Sequence, residues 1–260
     1  MIKFTVVEVK TQPNRERIEE YAKRYGMTFE EALEKKRIGE DYFPIRDQKI
    51  VAVGILNMMI DKDEKVAIMA QIYAGEEKRV LEETAKGLST IVASVGKPFF
   101  VTGDGRKYAL ELLAGRAMSY MTDAKRQEQE PTPELKEMIR LLTNPRNGYL
   151  KPFDMKDSID MQAAFGLGTD KAPLPAGMEY RNEDLKKLVE DIRHSVLDMT
   201  TNFVCYLEAQ GEKIKPVVYK LGKVEQLIQG RVFKTVKIFE FPKPEPETKE
   251  DVDIYGDDRA

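Results

Sequence analysis

Apolar and polar positions follow readable periods along most of this chain. Residues 2–10, IKFTVVEVK, are rich in β-branched and apolar types up to Pro13, which predicts a strand. Helical spacing follows at 14–25. A second helix is expected from Thr28, where Glu31 completes a capping box, to Gly39. Residues 40–48 read as a linker with an extended Phe43-Pro44 step. Residues 49–60, KIVAVGILNMMI, and 66–73, VAIMAQIY, are nearly continuous apolar runs. The polar stretch from Asp61 to Lys65 joins them, so an antiparallel hairpin is expected.

Residues 77–95 place Val80, Leu81, Thr84, Leu88, Ile91, Val92 and Val95 on one helical face, and Gly96 ends that helix. A short buried strand is predicted at 97–102. Gly103-Asp104-Gly105 then turns into a helix over 106–120, and the polar stretch 121–131 reads as a mobile connection. Thr132-Pro133-Glu134 is a helix start, with a cap, a proline at the first position and an acid in the first turn. Residues 143–152 read as a loop, 158–166 as a short helix capped by Asp157, and 167–181 as a Gly- and Pro-rich loop. Asn182 is expected to cap a long helix whose apolar face is Leu185, Leu188, Val189, Ile192, Val196, Met199, Phe203 and Tyr206. Beyond Gly211 come a strand at 215–221, a short helix near 223–228 and a strand at 231–241. This order predicts an α/β fold, a mixed sheet flanked by helices with a β-containing C-terminal extension. The sequence divides into a main domain at 1–210, a basic extension at 211–241 packed on or beside it, and an acidic, disordered tail at 242–260.

Composition narrows the chemistry. With 42% hydrophobic and 33% charged residues the chain reads as globular and soluble. No apolar run reaches membrane-spanning length, so no membrane partner is expected. The start, MIKFTVVEVK, lacks the charged-then-apolar layout of a secretion signal, and a cytoplasmic location is expected. The single cysteine, Cys205, suits a reducing compartment and excludes Cys-based zinc sites. One histidine, His194, excludes multi-histidine metal sites. A metal would need oxygen ligands, which favours magnesium or manganese. The net charge of −3 hides an asymmetry: residues 241–260 hold seven acids against three bases, while 211–237 hold seven bases against two acids. A basic stretch followed by an acidic tail suits nucleic-acid or partner contact, and equally a solvated surface.

Two-metal nucleases gather several carboxylates around two ions about 3.5–4 Å apart. Those carboxylates come from a first strand, the start of a later helix, and a late helix crossing the sheet. Glu8 is the acid of the first strand here, and Lys10 shares its face. Together they could equally be a surface pair at a strand end. Asp104 lies in a Gly-Asp-Gly turn, with Ala109 and Glu111 beyond it. His194 and Asp198, four apart, share a helical face, where a histidine beside a carboxylate could handle a metal-bound water or merely stabilise the helix. Phe153 to Asp160 concentrates Asp154, Asp157 and Asp160, of which Asp157 is explained as a cap.

Several stretches then resemble a known family. Met27-Thr28-Phe29-Glu30-Glu31-Ala32, Gly39-Glu40-Asp41-Tyr42-Phe43-Pro44 and Lys49-Ile50-Val51-Ala52-Val53 look like a scaffold of helix, "F-x-P" linker and "(K/R)-I-V-A-(I/V)" strand. Tyr149-Leu150, Phe153 to Asp157, and Asp198 to Leu207 continue it in order. The scaffold is similar to that of predicted 3′–5′ exonucleases related to the proofreading domain of family B DNA polymerases, in the DEDD, RNase H-like superfamily. The resemblance spans residues 2–210 and implies an RNase H-like sheet. It also implies a D-x-E motif in the first strand, matched here by Glu8 and Lys10. Its N-x-x-x-F-D motif falls on Asp104, Tyr108 and Ala109, and its Y-x-x-x-D motif on His194 and Asp198. Of four implied metal ligands, Asp198 is intact, Glu8 is a lengthened substitute, and two are lost.

The expectation is therefore a catalytically degenerate exonuclease-like protein that binds nucleic acid or a nucleic-acid-processing partner. No cofactor is expected, and magnesium or manganese only if the chain is active. Tyr108, Arg106, Lys107, Lys220, Lys223, Arg231 and Lys234 are the candidate contacts to single-stranded DNA or RNA. The acidic, Pro-spaced tail could dock a replication or repair protein. Two alternatives stay open. One is an active metal-dependent exonuclease with a site rebuilt from Glu8, Asp104, Glu111, Asp154, Asp157 and Asp198. The other is an interaction or assembly module that does not bind nucleic acid.

Overall fold

A pleated strand sends successive side chains to opposite faces. The first strand, β1 (Ile2–Pro13), is apolar on both. Val7 and Val9 enter one core cluster, Phe4 and Val6 another. A strand of that kind belongs inside a sheet covered on both sides. The computed structural model, which describes residues 2–36, 47–60, 66–96, 98–103, 108–130, 132–142, 158–161, 179–209 and 233–242, places it there.

β1 pairs antiparallel with β2 (Gln48–Ile60) and parallel with β4 (Phe99–Thr102). β2 pairs antiparallel with β3 (Val66–Gly75), as the two apolar runs predicted. β5 (Ser158–Asp160) extends one side of the sheet parallel to β4, and β6 (Phe233–Phe239) extends the other parallel to β3. The resulting order is β5-β4-β1-β2-β3-β6, and only β2 runs against the rest. The fold is α/β, a mixed sheet flanked by helices.

On one face lie α3 (Glu77–Val95), α4 (Tyr108–Arg126) and α5 (Pro133–Leu142). Val80, Leu81, Leu88, Ile91, Leu110, Leu113, Leu135 and Met138 pack there against Val7, Val53 and Ile55. On the other face α6 (Leu185–Ala209) crosses the sheet. Its predicted stripe is buried from Leu185 through Phe203, and Tyr206 is half-buried. Each such buried aliphatic or aromatic side chain contributes about 1.5–3 kcal/mol of transfer free energy. α1 (Arg15–Tyr25) and α2 (Phe29–Lys36) form a smaller unit around Ile18, Ala22, Ala32 and Leu33. The Thr28–Glu31 capping box is present, with Thr28 N–H donating to Glu31 Oε2 at 2.9 Å and Glu31 N–H to Thr28 Oγ1 at 3.2 Å.

Three expectations are corrected. Residues 158–160 are strand, not helix: three residues carry little pattern of their own, and pairing of Ile159 with Val101 decides their state. Residues 121–126 continue α4 instead of opening a mobile connection, because Met121 packs on the core and Asp123 pairs with Arg126 at 3.6 Å. Asn182 begins a single 3-10 turn (Asn182–Asp184) ahead of α6 and does not cap the helix with its side chain. Its Oδ1 instead accepts from Phe241 N–H at 2.7 Å, tying the exit of β6 to the start of α6. The strand at 215–221, the helix near 223–228, the loop at 143–152 and the acidic tail beyond Pro242 lie outside the described residues. Among the described residues no helix is long and apolar enough to cross a membrane.

Candidate functional site

Glu8 occupies the middle of the central strand, opposite Gly54 of β2. Its even position puts it on the face of Phe4 and Val6, which pack beneath Val196, Met199 and Phe203 of α6. The helix comes very close here. A Cβ on Gly54 would stand 2.6 Å from Val196 Cγ2 and 3.4 Å from Ile192 Cγ1. Glu8 is consequently 0% exposed. Lys10, two residues on and on the same face, is half-buried, next to a register shift between Lys10 and Thr11. Neither residue is without a partner. A buried acid with a cation on the same face is an arrangement that offsets charge, and the lysine opposes a divalent ion.

The other implied ligands are not gathered around Glu8. α6 turns Ile192, Val196 and Met199 toward the sheet. His194 and Asp198 sit about 200° round the helix from Ile192 and Val196 respectively. Both are exposed, on the solvent side of α6, whereas Glu8 is beneath it. Ala109, near the start of α4, is buried in the opposite helical layer with Leu110, Leu112 and Leu113, and it has no oxygen to offer. Glu111 is half-buried on the same helix and has a partner. Among the described residues no group of three acids, histidines or cysteines is placed to hold a metal ion. The described residues do not fit a two-ion centre. Asp104, Arg106, Lys107, Asp154, Asp157, Lys220, Lys223 and Arg231, and the side chain of Tyr108, lie outside the described residues. Lys234 is exposed on β6.

Two features escaped the sequence. The first is a buried ion pair on the far face. Arg116 of α4 donates to both oxygens of Glu77, from Nε at 2.8 Å and Nη2 at 2.5 Å. Tyr120 O–H donates to Glu77 Oε2 at 3.0 Å and Ile50 N–H to Oε1 at 2.7 Å. One carboxylate thus joins the start of α3, the middle of α4 and the start of β2. Burial works against the Arg116 charge, but the Glu77 hydrogen bonds outweigh it and hold its pKa above the usual value. Burial, with Glu77 adjacent, pushes the Tyr120 hydroxyl upward too. The one signal in the sequence was a lone arginine inside the apolar run of α4.

The second is an open surface groove of about 180 Å³ lined by α1 together with Lys36 and Asp47. Tyr21 and Tyr25 line it with ring centroids 4.5 Å apart, beside Arg17 and Arg24. Lys36 Nζ lies 4.2 Å from the Tyr21 ring centroid and 3.2 Å from the Asp47 carboxylate, which neutralises it. Tyr25 is 56% exposed, unusual for so large a ring. Aromatic faces beside guanidinium groups suit a base and its phosphate. No family model matches this chain, and no curated protein matches it significantly.

Proposed function

We propose that this chain is an RNase H-like, 3′–5′ exonuclease-like protein that binds single-stranded nucleic acid without hydrolysing it by a two-metal mechanism. The observation that carries the reading is the central strand. β1 lies between β2 and β4 in the order β5-β4-β1-β2-β3, with β2 alone reversed and α6 across one face. That order supports an RNase H-like sheet, and β1 is where its chemistry would start. At that place the chain carries buried Glu8 and the cation Lys10. Among the described residues too little negative charge faces the strand to retain paired divalent ions. Binding is left as the use of the scaffold. The exposed Tyr25, the adjacent Tyr21 and Arg17 support contact with a base and a phosphate, beside Arg24, which Glu20 holds at 3.3 Å. The basic composition of 211–237 supports salt-sensitive backbone contacts.

Fluorescence anisotropy with labelled single-stranded DNA and RNA, across a salt series, tests the binding. Affinity should fall steeply with salt, and Tyr25→Ala should weaken it by about 1–3 kcal/mol. The same oligonucleotides incubated in manganese should stay full length. Manganese-dependent shortening, whether Asp198→Ala or Glu8→Gln abolishes it, would replace this reading with an active nuclease. Absence of binding even at low salt would favour a protein-interaction module.

A further inference from the structure

β6 ends the sheet, and among the described residues no strand pairs with its outer side. An open edge is a template for another strand, and proteins usually protect it. This one carries Val236 and Ile238, 37% and 46% exposed, on the face shared with Ile72 and Ala74. Exposed Lys234 and Lys237 discourage indiscriminate pairing at this edge, so a partner strand must answer their charge as well as the two β-branched side chains.

We infer that β6 is a homodimer edge, pairing antiparallel with β6 of a second copy to continue the sheet across a two-fold axis. The sequence KTVKIFE over 234–240 is self-complementary in one register. A two-fold perpendicular to the sheet keeps each helical layer on its own side, so facing residues must be of like parity. Centred on Lys237, that register sets Val236 opposite Ile238 and Thr235 opposite Phe239. It also sets exposed Lys234 opposite exposed Glu240, twice per interface. Centring on Val236 would put Lys234 against Ile238, and centring on Ile238 would put Glu240 against Val236. Both alternatives bury a charge against an apolar side chain. The one like-charge encounter, Lys237 with its copy, is already neutralised. Each Lys237 Nζ lies 2.6 Å from Glu83 Oε2 of its own chain. Charge complementarity therefore selects the register and suits a second copy of this strand as the occupant.

The test is analytical ultracentrifugation of the full chain over a wide concentration range, with paired charge reversals. Wild type should show a reversible monomer–dimer equilibrium. Lys234→Glu and Glu240→Lys, both on exposed side chains, should each weaken self-association by about ten-fold or more, since two attractive pairs become repulsive. A one-to-one mixture of those two variants should associate again, because every facing pair is then opposite in sign. Val236→Lys with Ile238→Lys should stay monomeric with an unchanged circular dichroism spectrum. A wild type that is monomeric up to millimolar concentration overturns the inference and points to another occupant, such as a segment of the same chain. A dimer indifferent to the reversals, or a mixture that fails to recover, also overturns it.

Discussion

A single carboxylate shows how much one side chain can decide. Glu77 satisfies Arg116, Tyr120 and the Ile50 N–H at once, and both Glu77 and Arg116 are buried. Removing one partner from such a buried pair costs about 3–5 kcal/mol, mostly because the other charge is stranded. Glu77→Ala should therefore lower stability by about that amount in urea unfolding. Glu77→Leu with Arg116→Met should recover most of it, and failure to do so would mean the Ile50 contact dominates. Glu83 makes a second residue-scale case. Burial raises its pKa, but hydrogen bonds from Lys237 and Lys86 outweigh that and hold it below the ordinary 4.5. A depressed acid stabilises the fold above its unfolded pKa, and the benefit is lost as pH falls through the folded value. The melting temperature of wild type should exceed that of Glu83→Gln at neutral pH. The gap should close below about pH 4.5. The local Glu83–Lys86 pair follows helical spacing, but the Glu83–Lys237 and Glu77–Arg116 partnerships were not legible beforehand. Glu77 and Arg116 are 39 residues apart, and nothing local ties them.

Elements were legible where their ends and faces were both written locally. α3 spans 77–95 as expected, since its apolar stripe is regular and Gly96 stops it. β2 and β3 were legible because their apolar runs are long. β5 was not, because its strand state comes from β4. The candidate pair on α6 stands apart from Glu8 for a different reason. Helical spacing correctly groups His194 with Asp198, but it cannot say whether that group faces the strand, and the stronger apolar stripe takes that side. Two glycines then fix how elements meet. Gly54→Ala would push a methyl to within 2.6 Å of Val196, so α6 must shift off β2. A loss of about 1–3 kcal/mol is expected, read by thermal unfolding, and Val196→Ala should relieve part of it. Gly75 has φ of 114° and a Cβ there would fall 1.6 Å from the Phe239 carbonyl oxygen. Gly75→Ala should thus release β6, seen as faster amide exchange at Val236 to Phe239 with α3 unaffected.

Across the whole molecule the two faces of the sheet divide the work. The α3–α4–α5 layer holds the buried ion pair and the larger core, while the α6 layer covers Glu8 and Lys10. The α/β layering was legible from element order alone. The candidate centre was legible as a set of residue types, not as a place, because burial of Glu8 depends on how tightly α6 crosses Gly54.

The register shift beside Ala70 has a consequence during synthesis. It lets one short strand reach both sides, with Phe233 under Arg193 of α6 and Phe239 under Arg79 of α3. That strand is made long after its partner β3. Until residues 233–239 emerge from the ribosome, β3 lacks this neighbour. Chaperone dependence and C-terminal truncation damage should therefore be traceable to that flank.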